Sequence, residues 1–429
     1  MKVSRFDWDG SDARGLAAEL RALQPPPGEV ADAVARIIDE VERGGDAAVL
    51  EAEERFGGAR PESLSVDPAD ADAARAAVPE DLSAALELAA GNIRRVAEAE
   101  AMADLRVTLP QGQAVRLRSV PVAAAGAYAP GGNAAYPSTV LMCCVPAKVA
   151  GVERVAVVSP PASGGAPNPA VLAASAIAGA DEVYATGGVQ AIAALALGTE
   201  SIAPVDVIVG PGNRYVQEAK RQLYGRVGID GIAGPSELMV ILDEDANPDW
   251  LALDLCAQAE HGDDGLLVAA AAADETLAGI ERAVDEAASA RDAVGDAPFA
   301  LVKVPSPEAA LELSDALAPE HLELACEGAE ALAASVSTAG CVFVGDRGAT
   351  AFGDYAAGSN HVLPTGGAGR YTGPLGPTVF RRRIGAVTVT QEAAQGLAPA
   401  VATLARAEGF PVHAESVEAR LEDEQGERA

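Results

Sequence analysis

The chain has 429 residues and sets 31 Lys and Arg against 63 Asp and Glu, a formal net charge of −32 that repels polyanions and excludes nucleic acid and anionic membranes as general partners. With 49% hydrophobic residues it can bury real cores rather than remain disordered, and its length suits about two to three domains. Charges, glycines or prolines interrupt every apolar stretch before the roughly 18 residues of a membrane span, and MKVSRFDWDGSDARG carries acids where a signal peptide is apolar, so a cytoplasmic protein is expected.

Up to about residue 105 the chain reads as helix, with apolar positions three and four apart in VADAVARIIDEVERGGDAAVLEAEERFG and LSAALELAAGNIRRVAEAEAM. An alternation follows. Strand-like SVPVAAAGAYA, RVAVVSP, EVYAT and VDVIVG are separated by the helical stretches STVLMCCVPAKVAG, NPAVLAASAIAGA and VQAIAALALG, with NRYVQEAKRQLYG after the last. Short apolar runs between longer helical patterns predict parallel β-α-β units. The pattern resumes with ELMVILD, the helix DWLALDLCAQAEHG, LLVAAAA, a helix from Asp274, and the strands ALVKV, LELAC and CVFVG. Two open α/β sheets are expected, with the chain crossing between them near residues 232–237 at IAGPSE. Beyond Gly353 a long glycine-rich loop, GDYAAGSNHVLPTGGAGRYTGPLGP, precedes a short tail, and a loop of that length usually lines a site. Ligands of open parallel sheets gather at the carboxyl ends of strands, which marks the loops AYAPGGN, ATGG, GPGN, the stretch after Cys256, PEH and GDYAAGSNH. No GxGxxG follows any strand, so spacing alone does not establish a nicotinamide cofactor.

Lysine occurs only at Lys2, Lys148, Lys220 and Lys303. Arginine supplies the other cations, and a surface this acidic is read as adapted to concentrated salt, where screening shortens repulsion to roughly 3 Å at about 1 M. Five cysteines with no CxxC pair indicate neither a disulfide framework nor a thiolate zinc site; adjacent Cys143 and Cys144 read as small buried hydrophobes. The four histidines, His261, His321, His361 and His413, each stand in or beside a loop or helix end, near Asp, Glu or Gln. Gln258 and His261 share a helix face. Such a pattern suits zinc with nitrogen and oxygen donors, although spacing leaves open which three or four bind. Pro319-Glu320-His321 offers a general base and a proton shuttle at one reacting centre, while GPGN offers free amides at a helix start.

The motifs GAYAPGGNAAYPS, GGVQAIAALALGTESI, VDVIVGPGNRYVQEAK, AGPSEL, AQAEHG, APEHLEL, GDYAAGSNHVLPT and EGFPVHAESV together resemble those of the histidinol dehydrogenases, zinc- and NAD-dependent oxidoreductases of the last steps of histidine biosynthesis. The resemblance runs from about residue 20 to about residue 420. It implies zinc ligands at Gln258, His261, Asp354 and His413, an acid–base pair at Glu320 and His321, and NAD contacts at Tyr128, Gln190 and Asn213. Ser236, His361 and Glu408 are implied to contact the substrate, alongside the ligands and the acid–base pair. The implied fold is α/β, two incomplete Rossmann-like parallel-sheet domains with a helical N-terminal segment and a small C-terminal tail domain. Its parts are an arm over 1–22, a substrate and zinc domain from 23–118 and 235–372, an NAD domain over 119–234, and a dimerisation tail over 373–429. The implied reaction is the four-electron oxidation of L-histidinol to L-histidine through an enzyme-held aldehyde, using two NAD. A homodimer with shared active sites is also implied, His413 completing the zinc site of the other subunit.

Overall fold

The computed structural model describes every residue except 27, 58–59, 132–134, 163 and 422–429. The centre of the GAYAPGGNAAYPS motif, 132–134, therefore lies outside the described residues. Strand β1 (Lys2–Asp7) opens the chain, followed by helices α1 (Ala13–Arg21), α2 (Ala31–Ala52), α3 (Pro68–Ala77) and α4 (Glu80–Glu100). Next come β2 (Leu105–Thr108), β3 (Ala114–Pro121), β4 (Ala124–Tyr128), α5 (Pro137–Val149), β5 (Arg154–Ser159), α6 (Pro169–Ala178), β6 (Glu182–Ala185), α7 (Gly188–Leu197), β7 (Val207–Val209), α8 (Arg214–Leu223) and β8 (Gly228–Ile229). The chain continues through β9 (Glu237–Leu242), α9 (Pro248–Ala259), β10 (Leu266–Ala271), α10 (Asp274–Ser289), β11 (Pro298–Lys303), α11 (Pro307–Leu317), β12 (His321–Ala325), α12 (Ala329–Ala333), β13 (Cys341–Val344) and α13 (Thr350–Tyr355). It ends with β14 (Arg381–Thr388), α14 (Gln391–Ala407) and α15 (Pro411–Ala419).

Two parallel sheets carry the fold, as the alternation predicts. One has six strands in the order β1-β11-β10-β9-β12-β13, the other five in the order β6-β5-β4-β7-β8. Strands β9, β10 and β12 are buried along their whole length, because a parallel sheet is covered by helices on both faces and needs apolar residues on both. Leu20 of α1 and Leu313 of α11 help to fill one face of the six-stranded sheet; Leu255 of α9 and Ile280 of α10 help to fill the other. In the five-stranded sheet α5 and α6 build one core and α2, α7 and α8 the second. Alanine-rich α7 packs close to its strands. A Cβ at Gly126 would sit 2.8 Å from the Leu195 side chain, so a larger residue there would displace Leu195.

The sequence expectations need three corrections. The N-terminal segment is not purely helical: β1 pairs parallel with β11, Lys2 opposite Pro298 and Asp7 opposite Lys303, so part of the 1–22 arm is an edge strand of the six-stranded sheet. SVPVAAAGAYA breaks after Pro121 into the end of β3 and all of β4. A third, antiparallel sheet, β14-β3-β2, was not anticipated.

The chain divides into two compact units, Met1–Glu100 with Val122–Phe380, and Ala101–Pro121 with Arg381–Ala429. Both parallel sheets lie in the first. In the second, β14 runs against β3 from Arg381 opposite Pro121 to Thr388 opposite Ala114, and α14 meets α15 at Ala402, Ala405 and Ala414. The tail thus recruits 101–121, while Phe380, fully buried, stays with the first unit. Among the described residues no helix is long and apolar enough to cross a membrane.

Candidate active site

Glu237 and His321 are the first residues of β9 and β12, and the strands run in register with His321 opposite Leu238. Glu320, His321, Ser236 and Glu237 therefore lie side by side at the amino edge of the six-stranded sheet. Helix α9 leaves the carboxyl end of β9 and returns antiparallel, so its last turn delivers Gln258 and His261 to that same edge. This overturns the expectation that every site loop sits at a carboxyl end. In the other sheet the residues implied to contact NAD do stand at carboxyl ends: Tyr128 ends β4, the loop Thr186-Gly187 follows β6 and Asn213 follows β7.

His321 is 3% exposed and opens a strand rather than flanking a helix. Its Nδ1–H donates to the Glu237 carbonyl at 3.2 Å and lies 3.5 Å from Glu320 Oε2, while Nε2 stands 3.5 Å from Asp354 Oδ1. Burial opposes the imidazolium, but the charges of Glu320 and Asp354 outweigh it and hold His321 well above its ordinary value. Glu320, 7% exposed, accepts from the Glu237 N–H at 2.9 Å. Burial likewise opposes the Asp354 carboxylate, yet His321 foremost, then His361 and His261, bring it below the usual range. His361 Nδ1–H donates to the Asp354 carbonyl at 2.8 Å, which leaves Nε2 to accept from the Thr139 hydroxyl at 3.2 Å. Burial pushes His361 down, toward the neutral imidazole this tautomer describes.

Glu237 anchors the edge. Buried to 1% exposure, it takes the Arg21 guanidinium on both carboxylate oxygens and the Gly366 N–H at 3.2 Å, and burial nevertheless raises it. Arg21 also donates to the Leu317 carbonyl.

The structure thus brings Ser236, Gln258, His261, Glu320, His321, Asp354 and His361 to one edge. Gln258 is buried, and its Nε2 has no hydrogen-bond partner, so the amide keeps unspent bonding capacity; His261 is exposed. Glu408 caps α14 and His413 lies in α15, exposed, with its ring 5.4 Å from that of Phe410 and tilted by 51°, both in the second unit. Among the described residues no three His, Cys, Asp or Glu side chains stand together as a metal site.

Among the residues implied to contact NAD, Tyr128 is buried, its phenol pushed up to about 12 by burial and by the charge of Glu53, and its oxygen accepts from the Gly188 N–H at 3.1 Å. Gln190 Nε2 donates to Glu53 at 2.7 Å. Asn213 accepts from the Tyr215 and Val216 N–H groups at 3.0 and 3.2 Å, capping α8. Its GPGN loop is tied down by the buried pair of Lys220 and Asp230, which bond the Gly210 carbonyl at 3.1 Å and N–H at 2.7 Å. Gly210, at φ +118°, would bring a Cβ to 2.3 Å from the Tyr128 carbonyl. Cys143 and Cys144 are fully buried; burial raises both thiols, Cys144 to about 12, which disqualifies them as nucleophiles.

Sequence reasoning missed Glu53, Glu237, Arg21, Thr139 and the Lys220–Asp230 pair. Glu237 lies inside AGPSEL and Lys220 is one of four lysines, which were usable signals. Glu53 and Arg21 carried none.

The family model of histidinol dehydrogenase matches residues 24–421. A histidinol dehydrogenase of Ruegeria pomeroyi is 44% identical over 420 residues, covering 95% of this chain and 96% of that protein. One from Corynebacterium jeikeium is 40% identical and covers 98% of each. The solved histidinol dehydrogenase of Elizabethkingia anophelis superposes with a TM-score of 0.90 at 31% identity, covering 98% of both chains. With the match spanning nearly its whole length, the chain belongs to the histidinol dehydrogenase family.

Proposed function

We propose that the protein oxidises L-histidinol to L-histidine in two successive two-electron steps at one site, with NAD as the hydride acceptor in each. The observation that carries this reading is His321, buried at the sheet edge between two carboxylates, with its Nε2 turned toward Asp354. A base there takes the hydroxyl proton as the carbinol carbon loses hydride, leaving an aldehyde. Glu320, beside it, removes a proton from water as the water adds to that aldehyde, and His321 returns its proton to the aldehyde oxygen, which leaves a neutral hydrate and a free imidazole. His321 then takes the proton of the resulting hydrate while the second hydride leaves, giving the carboxylate. Holding the aldehyde in a buried site keeps it from bulk solvent, which is the advantage of one site for both steps.

Gln258, His261 and Asp354, completed by a His413 from a second subunit, suit a zinc ion. The donors are nitrogen and oxygen, which zinc accepts, and the unpartnered Gln258 amide is the buried polar group such an ion would satisfy. Bound zinc would orient the substrate through its imidazole and amine. Tyr128, Gln190 and Asn213 would line the NAD site. A homodimer with shared sites is supported by the second unit's exposed apolar side chains, among them Val387, Leu404, Phe410 and Val412.

The test is histidinol-dependent NAD reduction coupled to metal analysis. Two NAD reduced per histidinol, with about one zinc per chain, is the expected result. His261→Asn should lose metal and activity while keeping its circular dichroism spectrum; full zinc occupancy in that variant would reject the ligand set.

A further inference from the structure

Beneath the proposed cofactor site lies a buried carboxylate that no motif contains. Glu53 follows α2 in a short π-helical turn, Glu53–Gly57, and is 1% exposed. A single oxygen, Oε1, accepts from the Thr186 hydroxyl, the Gly187 N–H and Gln190 Nε2, each at 2.7 Å. All three donors are neutral, and hydrogen bonds to a charged group in a dry interior are the strong kind. Gly187 is the N-cap of α7, a helix with no side-chain cap of its own, so the carboxylate occupies the end where the helix dipole favours an anion.

This arrangement sets hydrogen-bond polarity. An ionised carboxylate only accepts, so the Gln190 amide must turn its nitrogen to Glu53; its oxygen then faces Gly188, where a Cβ would lie 3.0 Å away. The Gly188 N–H in turn donates to the Tyr128 oxygen, leaving the phenolic proton to donate elsewhere. Gln190 is thereby presented as an acceptor and Tyr128 as a donor.

We propose that Glu53 is a positioning residue of the cofactor site. As a built-in anion on α7 it fixes the Gln190 amide to receive a donor, such as a ribose hydroxyl or a carboxamide N–H, and keeps a cofactor phosphate off that helix end. The inference rests on the reading that Tyr128 and Gln190 contact NAD.

Initial-rate kinetics of the zinc-loaded, full-length enzyme test it. Glu53→Ala should raise KM for NAD by about tenfold or more, with kcat and KM for histidinol within about threefold of the parent. Added formate should lower the NAD KM again by filling the vacated anion position, and Glu53→Asp should fall between the two. An unchanged NAD KM, or a fall in kcat with a rise in both KM values and no formate response, would overturn the proposal. If Glu53→Ala does not fold, Glu53→Gln, which keeps the volume, carries the same KM-against-kcat comparison. Gln190→Ala separates the two ideas. An unchanged NAD KM in that variant rejects the cofactor-site reading itself, whereas a raised one beside a normal Glu53→Ala rejects only the role of Glu53.

Discussion

Burial and charge pull His321 in opposite directions, and the two carboxylates beside it raise its basicity, which suits a proton acceptor. Glu320 and His321 are adjacent in sequence and are kept distinct by one backbone unit, since Glu237 gives its N–H to the first and its carbonyl to the second. Their roles should separate under substitution. Glu320→Gln is expected to slow oxidation of the aldehyde by about 10² to 10⁴ and oxidation of the alcohol far less, read by supplying each as substrate; equal losses would contradict water activation. A second buried acid pair lies nearby. Burial pushes Glu323 up to about 9, with the Asp254 charge adding to it, and burial pushes Asp254 to about 6. A carboxyl raised on folding stabilises below its ordinary value near 4.5, and that contribution is lost as pH climbs toward about 9. Glu323→Gln, always neutral, should therefore flatten the decline of thermal stability over that range; parallel melting curves against pH for the two proteins would refute it.

Among elements, α1 does more than cover the sheet. Its last residue, Arg21, clasps Glu237, so a helix near the start of the sequence braces the strand that orients both Glu320 and His321. Arg21→Ala leaves Glu237 buried with an uncompensated charge. It is expected to cost about 2 to 4 kcal/mol and to lower kcat together with the melting temperature; an unaltered melting temperature would count against the brace. The central strands were legible because ELMVILD and LLVAAAA are covered on both faces and must be apolar throughout. KVSRFD was not, since an edge strand with one neighbour keeps charged residues and shows no apolar run. The candidate site was legible at His261, His321 and His361, histidines being scarce, and illegible at Glu53 and Glu237, two among 63 acids whose meaning comes only from burial. Nor does a sequence reveal which edge of a sheet a loop reaches. PEH leads into β12 with His321 as its first residue and DLCAQAEHG closes α9, and both arrive at the amino edge because the intervening helices run back along the strands.

On the scale of the molecule the charge of −32 is carried almost entirely by the surface, with the lysines reduced to four and Lys220 of these spent on a buried pair. Melting temperature should rise by roughly 5 °C or more between 0.1 M and about 2 M KCl as repulsion is screened; a flat response would remove the salt-adaptation reading. The shared-site reading predicts that two inactive variants, His413→Asn and His321→Asn, regain activity when their subunits are mixed and reassembled, and no recovery would place each site within one subunit. The order of synthesis has its own consequence. The five-stranded sheet uses only contiguous chain from Ala124 to Ile229, whereas β1 must wait for β11, nearly 300 residues later. At about 5–20 residues per second on the ribosome, the first strand made waits some tens of seconds for its neighbour. The middle of the polypeptide can therefore pair its strands well before the first strand meets its neighbour.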